Sequence, residues 1–288
     1  MLDISHILSQ QQSTFIFYAT GDWQTWSKPR NAKMIEIFCI GGGGGGGQGG
    51  QNGSTGGGGG GSAGIVRGII PAFLLPDTIY IQVAKGGAGT LLAGTGDAGG
   101  ISYISLRPST SEQTLICKSS TAGAGGGTST GGGAAATVSS LTLSTFGNLG
   151  LFTAIAGVGG GAGTAGGAAG SNVTALASNL TTGGAGAAGK GATVFGTGGN
   201  ILPAPVILTS TVNGGQTEGA DGQHGYGTLQ PFCGTGGAGG ASNLAGTGGK
   251  GGNGFYGCGG GAAGGGTTPT LSRSGDGGDG LVIITVIT

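Results

Sequence analysis

The residues able to do chemistry are few in this chain, and most of their spacings argue against catalysis. Gly41, Gly43 and Gly46 satisfy G-x-G-x-x-G after an apolar strand-like run, Ile35–Ile40. A dinucleotide site also needs a helix immediately afterwards, whose N-terminus holds the pyrophosphate. Gln48-Gly-Gly-Gln-Asn-Gly and six further glycines cannot form it. Gly184-Ala-Gly-Ala-Ala-Gly189-Lys190 approaches a phosphate-binding loop, but Gly191 stands where a Mg²⁺-binding Ser or Thr is required. The cysteines, Cys39, Cys117, Cys233 and Cys258, contain no C-x-x-C, and neither histidine falls at a zinc-finger spacing. Cys39 reads as a small buried hydrophobe. Cys233 and Cys258 share an aromatic-plus-glycine context, so a disulfide is one reading and two buried thiols the default. Asp221, Gln223, His224 and Tyr226 cluster without paired carboxylates or a nucleophile motif, which points away from acid–base catalysis. They read as a polar loop and become the candidate receptor-contact residues. No enzyme activity, cofactor or metal is expected.

The elements that must position such a loop are dictated by composition. Glycine accounts for 79 of 288 residues, and charged residues for 7% against a usual ~25%. Zero formal net charge leaves no basic stripe for nucleic acid, and no apolar stretch is long enough to span a bilayer. Met1–Gln12 has no Lys or Arg, unlike a secretory signal, and its Leu2, Ile4, Ile7 and Leu8 allow one short amphipathic helix. Apolar, β-branched runs at 15–18, 34–40, 79–83, 101–106 and 281–287 predict strands. They are expected to meet in one small β-base, because Leu281–Ile287 is too apolar to remain a free tail.

Between these runs, glycine tracts alternate with glycine-poor segments such as Asn200–Asn213 and Gln216–Phe232, of which the second is expected to be the main contact loop and the first a more apolar competitor. In a polyproline-II conformation, with three residues per turn and ~3.1 Å rise, backbone amides point outward and need lateral partners. Bare glycine backbones can approach one another closely enough to supply them. A flexible linker and a silk-like stacked sheet are the competing readings. The expected fold is all-β with extensive irregular and polyglycine-II content: a small β-base plus packed glycine-rich tracts with loops between them. The expected divisions are 1–13 (attachment segment), 14–120 (β-rich base with the first tracts), 121–280 (tracts and loops) and 281–288 (closing strand).

The frame Gly21-Asp-Trp-Gln-Thr-Trp26-Ser-Lys-Pro29, continuing through Met34–Ile40 into Gly41–Gly47, resembles the glycine-rich domain of bacteriophage tail and tail-fibre proteins. Gly56–Gly61, Ile79–Val83 with Lys85-Gly-Gly-Ala-Gly, Gly99-Gly-Ile-Ser-Tyr and Gly277-Gly-Asp-Gly-Leu-Val-Ile-Ile complete that frame over about residues 14–288. A looser similarity is to the tip adhesins of T-even-type phages, in which packed polyglycine-II helices carry receptor-binding loops. The resemblance implies a virion tail or fibre protein that attaches to a host surface glycan or outer-membrane protein. It also implies that the N-terminal part joins other virion proteins, with a homo-oligomer possible. The alternative is a structural virion component without receptor contact.

Overall fold

The computed structural model describes residues 12–49, 54–119, 123–127, 131–134, 151–174, 180–202, 209–229, 231–267 and 272–288. The fold is nearly all-β. Its strands are β1 (Gln12–Tyr18), β2 (Gln24–Ser27), β3 (Met34–Ile40), β4 (Ile65–Pro71), β5 (Thr78–Gln82), β6 (Tyr103–Ser105), β7 (Leu115–Lys118) and β8 (Phe152–Ile155), then the short pairs β9 (Val173–Thr174), β10 (Ile201–Leu202), β11 (Gly227–Leu229) and β12 (Phe232–Gly234), and finally β13 (Leu281–Ile287). The helix expected over 1–12 lies outside the described residues except for Gln12, which opens β1.

The base is two sheets rather than one. The larger has the order β1-β13-β3-β4-β8 and is antiparallel throughout; the smaller has the order β2-β5-β6-β7. β13 sits between β1 and β3, with Leu281 opposite Ile40 and Ile287 opposite Met34. Alternation along the strands then sorts the side chains. Ile35, Ile37, Cys39, Val282, Ile284 and Val286 face the smaller sheet, where Trp26, Ile79, Ile81, Ile104 and Ile116 complete one core. Phe38, Ile40, Ile65, Leu281 and Ile283 point the other way and meet Phe232, Phe255 and Tyr256 in a second core. Each such side chain, taken from water, contributes about 1.5–3 kcal/mol.

The glycine tracts grow from one end of this base as a lattice. Along 42–48 the backbone N–H groups donate to three neighbours in strict rotation, at 2.8–3.0 Å. Gly42, Gly45 and Gln48 reach the carbonyls of Gly100, Asp97 and Gly94; Gly43 and Gly46 reach Gly278 and Gly275; Gly44 and Gly47 reach Gly61 and Gly58. A partner change at every residue and a return at every third is the signature of three residues per turn. The carbonyls of the same tract accept from Gly87, Gly123, Gly126, Gly260 and Ala263. Six tracts therefore surround this one: 94–100, 85–90, 273–280, 258–265, 56–62 and 123–127. Each also bonds to the next around the ring, for example Asp97 N to Ala88 O, Gly277 N to Gly87 O and Gly60 N to Gly260 O.

The same accounting encloses 56–62, 184–188, 237–243 and 259–265, so the tracts fall into rows. One row runs 94–100, 41–48, 259–265, 237–243, 213–215. On one side of it lie 85–90, 273–280, 249–254 and 220–226. On the other lie 123–127, 56–62, 184–188 and 196–200, followed by 131–133, 158–164 and 170–172. Only glycine fits the closest approaches: a Cβ on Gly43 would stand 2.0 Å from the carbonyl oxygen of Cys258. Ala185, Ala187, Ala238, Ala241, Ala262 and Ala263, fully buried, occupy the sites where a methyl fills a gap between tracts.

Candidate functional site

Because successive tracts run alternately away from the sheets and back, chain direction fixes which loops lie at which end. Tract 41–48 leaves β3 and 56–62 returns to β4; 85–90 leaves β5 and 94–100 returns to β6; 273–280 returns to β13. The turns 91–93, 165–168, 190–195, 217–219 and 244–246 therefore lie at the distal tip, away from the sheets. The turns 209–212, 227–234 and 255–257 lie at the base end, where Phe232, Phe255 and Tyr256 pack on the larger sheet.

This geometry places the sequence candidates on the flank of the lattice. Gln216–Phe232 is not a single loop: it contains the tip turn 217–219, the outer-row tract 220–226 and the base-end hairpin β11–β12. An outer tract lacks neighbours on one side, so some amides face no carbonyl. The candidate side chains supply the missing acceptors. Asp221 Oδ1 accepts the Lys250 N–H at 2.7 Å, Gln223 Oε1 accepts the Asn213 N–H at 2.9 Å, and His224 Nδ1 accepts the Asn253 N–H at 2.9 Å. The Tyr226 hydroxyl donates to the Ser210 carbonyl at 2.5 Å and accepts the Ser210 N–H at 3.0 Å. The four side chains act on the backbone of four separate residues and do not converge on one point. In the competing segment Asn200–Asn213, residues 203–208 lie outside the described residues, while Ile201 and Val212 are buried against Val173 and Ala238.

The same device recurs along this face. Asp279 Oδ1 accepts from Gly86 at 2.8 Å, Asp276 Oδ1 from Gly89 at 2.8 Å, and Asn253 Oδ1 from Asp276 at 3.0 Å. The signal for it was present in the sequence: Asp221/His224, Lys250/Asn253 and Asp276/Asp279 are each three residues apart within a glycine tract. With three residues per turn, such pairs share the outward side.

The tip itself carries the exposed apolar residues Leu91 (61%), Leu92 (70%) and Val194 (58%), which the sequence reading passed over. Beside the first two lies a cleft of about 470 Å³, walled by the turn 90–92, Thr95, Asp97 and Arg273. Arg273 Nη2 contacts both oxygens of Asp276, at 2.8 and 3.0 Å.

All four cysteines are free thiols. Cys39 and Cys117 are buried between the sheets, and their hydrogen bond, reinforced by burial, pushes the Cys117 thiol well up. Burial pushes Cys258 up to about 12 and raises Cys233. Cys117, Cys233 and Cys258 are therefore not ready thiolates at neutral pH. Gly41–Gly47 and Gly184–Gly189 are interior tracts enclosed by backbone, and among the described residues no helix follows either. Among the described residues no cluster of His, Cys, Asp and Glu could hold a metal ion, and no helix is long and apolar enough to cross a membrane.

A family model described as a glycine-rich domain matches residues 18–258. No curated protein matches the chain.

Proposed function

The chain belongs to the glycine-rich domain family, and from that premise we propose that it is a bacteriophage tail or tail-fibre protein that attaches the virion to its host through the distal tip of the lattice. The observation that carries this reading is the polarity of the molecule. Gln12 pairs with Ile287 at the end of the larger sheet away from the glycine tracts, so strands β1 and β13 meet each other at the pole opposite the tip. Five described turns are delivered to the opposite pole by tracts bonded laterally to their neighbours, which is a rigid way to present side chains. The phage assignment itself rests on the Gly21–Ile40 frame and its resemblance. In this reading the N-terminal part joins other virion proteins, the tip meets a host surface glycan or outer-membrane protein, and Asp221, Gln223, His224 and Tyr226 serve the lattice rather than the receptor.

The test is adsorption of the fluorescently labelled full-length protein to a panel of bacterial strains. Substitution of tip residues, Leu91→Ser with Leu92→Ser and separately Val194→Ser, is expected to abolish binding with melting unchanged, whereas His224→Gln on the flank leaves it intact. Failure to adsorb to any strain, with the protein incorporated in particles, would favour a purely structural virion part.

A further inference from the structure

The cleft at the tip has walls of three chemical kinds. Leu91 and Leu92 form an apolar wall on a turn that Thr90 clamps: its Oγ1 accepts the Leu92 N–H at 3.2 Å and donates to the Leu92 carbonyl at 2.8 Å. Asp97 presents a carboxylate from a tract whose backbone is fixed on two sides, by Ala88 and by Gly45, each at 2.9 Å. Arg273 presents a guanidinium that Asp276 holds in place, and Asp276 is itself pinned by the Gly89 amide at 2.8 Å. Nη2 makes both contacts to Asp276, and among the described residues the Nε–H and Nη1 donors have no other partner and face a ligand. The guanidinium, and the backbone that carries the acceptor and the apolar wall, are thus held before anything binds, which lowers the ordering cost of binding.

The charges select the ligand. Arg273 and Asp276 cancel as a pair, so among the described lining residues the unpaired charge is the carboxylate of Asp97. A phosphate or an acidic sugar would be repelled there. A neutral pyranose suits all three walls: its C–H face packs on the leucines, its hydroxyls donate to Asp97, and they accept from Arg273. The cleft volume, about 470 Å³, falls within the ~300–1,000 Å³ of small-molecule sites. Resting on the attachment reading above, we infer that this cleft is a subsite for a neutral sugar unit of a surface glycan.

The experiment is saturation-transfer NMR on the full-length protein. The neutral probes are the methyl glycosides of glucose, galactose, mannose and N-acetylglucosamine; the anionic probes are N-acetylneuraminic acid and glucose 6-phosphate. At least one neutral probe is expected to receive saturation and the anionic probes less. Asp97→Ala should weaken the bound sugar by about tenfold, the loss of one hydrogen bond to a charged group. That variant keeps the backbone bonds of position 97, so its melting temperature should not move. No transfer to any neutral probe, stronger transfer to an anionic one, or undiminished binding by Asp97→Ala would overturn the inference. If Asp97→Ala adsorbs to cells like the parent while Val194→Ser does not, the sugar subsite falls and tip attachment stands. If the parent adsorbs to no strain, tip attachment itself falls.

Discussion

The amide of Gly44 donates to the carbonyl of Gly61 at 2.9 Å, and the amide of Gly61 donates in turn to Ala124 at 2.8 Å, whose oxygen would stand 2.0 Å from a Cβ on Gly44. The bond that holds the lattice together is therefore also what excludes every side chain from the position. Gly44→Ala is expected to force backbones apart and cost about 3 kcal/mol, at the upper end of overpacking. Gly131, where a Cβ would meet nothing within 4 Å, provides the control. Gly131→Ala should be neutral or slightly stabilising, by up to ~1 kcal/mol. Chemical denaturation of the two variants checks the contrast, and equal effects would contradict the close-packed lattice.

Hydrogen exchange should map the rows. The amides of Gly42–Gly47 are enclosed by six tracts and are expected among the slowest in the molecule, open only on global unfolding. The Gly219 amide, at a tip turn, should exchange much earlier even though it is bonded to Ser242. Random-coil rates throughout 42–47 would mean that the tracts are linkers.

The side-chain caps on the outer row predict a graded series. Asp276→Ala removes the acceptor of the Gly89 amide and the partner of Arg273, and should cost about 1 kcal/mol, reduced by solvent at this half-exposed position. Asp276→Asn keeps an acceptor oxygen and should recover most of the loss. For His224, whose Nδ1 accepts from Asn253, Gln should replace it better than Ala. A thermal melt of each variant provides the measurement.

Alkaline pH should destabilise the protein through Cys258. Its folded thiol is pushed up to about 12 from an ordinary 9.0, chiefly by burial. The folded state therefore holds the proton more tightly than the unfolded chain. The sign follows: stability is unaffected below about pH 9 and falls as pH rises from there toward 12, by at most ~1.4 kcal/mol per pH unit for this group. Cys258→Ala should flatten that part of the stability–pH curve. In the native protein at neutral pH, half-buried Cys233 should react with a thiol reagent before Cys39, Cys117 and Cys258.

The sequence disclosed the strands that stand alone on their own residues. Met34–Ile40 is apolar but for Glu36 and Leu281–Ile287 is apolar but for Thr285, and their observed bounds coincide with the expected ones. β4 was missed because Arg67 and Gly68 interrupt Ile65–Pro71; Gly68 leaves room for the Phe152 ring, which would come within 2.4 Å of an added Cβ. β2 was missed because Gln24–Ser27 is polar apart from Trp26, whose burial depends on the opposing sheet. In the sequence the outer-row residues read as a loop because glycine thins out there. In fact Asp221 and His224 lie on a tract, where a side chain stands in for an absent neighbour. The tip cleft assembles from 88–97 and 273, which only the returning tract brings together.

The rotation of partners along each tract gives the lattice something like a reading frame. Donors at 237, 240 and 243 meet carbonyls at 259, 262 and 265, running in the same sense, while those at 44 and 47 meet 61 and 58, running in the opposite sense. Direction is immaterial to these contacts, but phase is not. Inserting one or two residues inside a tract turns everything beyond it by a third or two-thirds of a revolution and aims each later amide at the wrong neighbour. Inserting three restores the phase and lengthens the tract by about 9 Å. Length changes in such a scaffold should therefore be inherited in triplets within the tracts and freely at the turns, so that a lineage can vary its tip without disturbing the body that carries it.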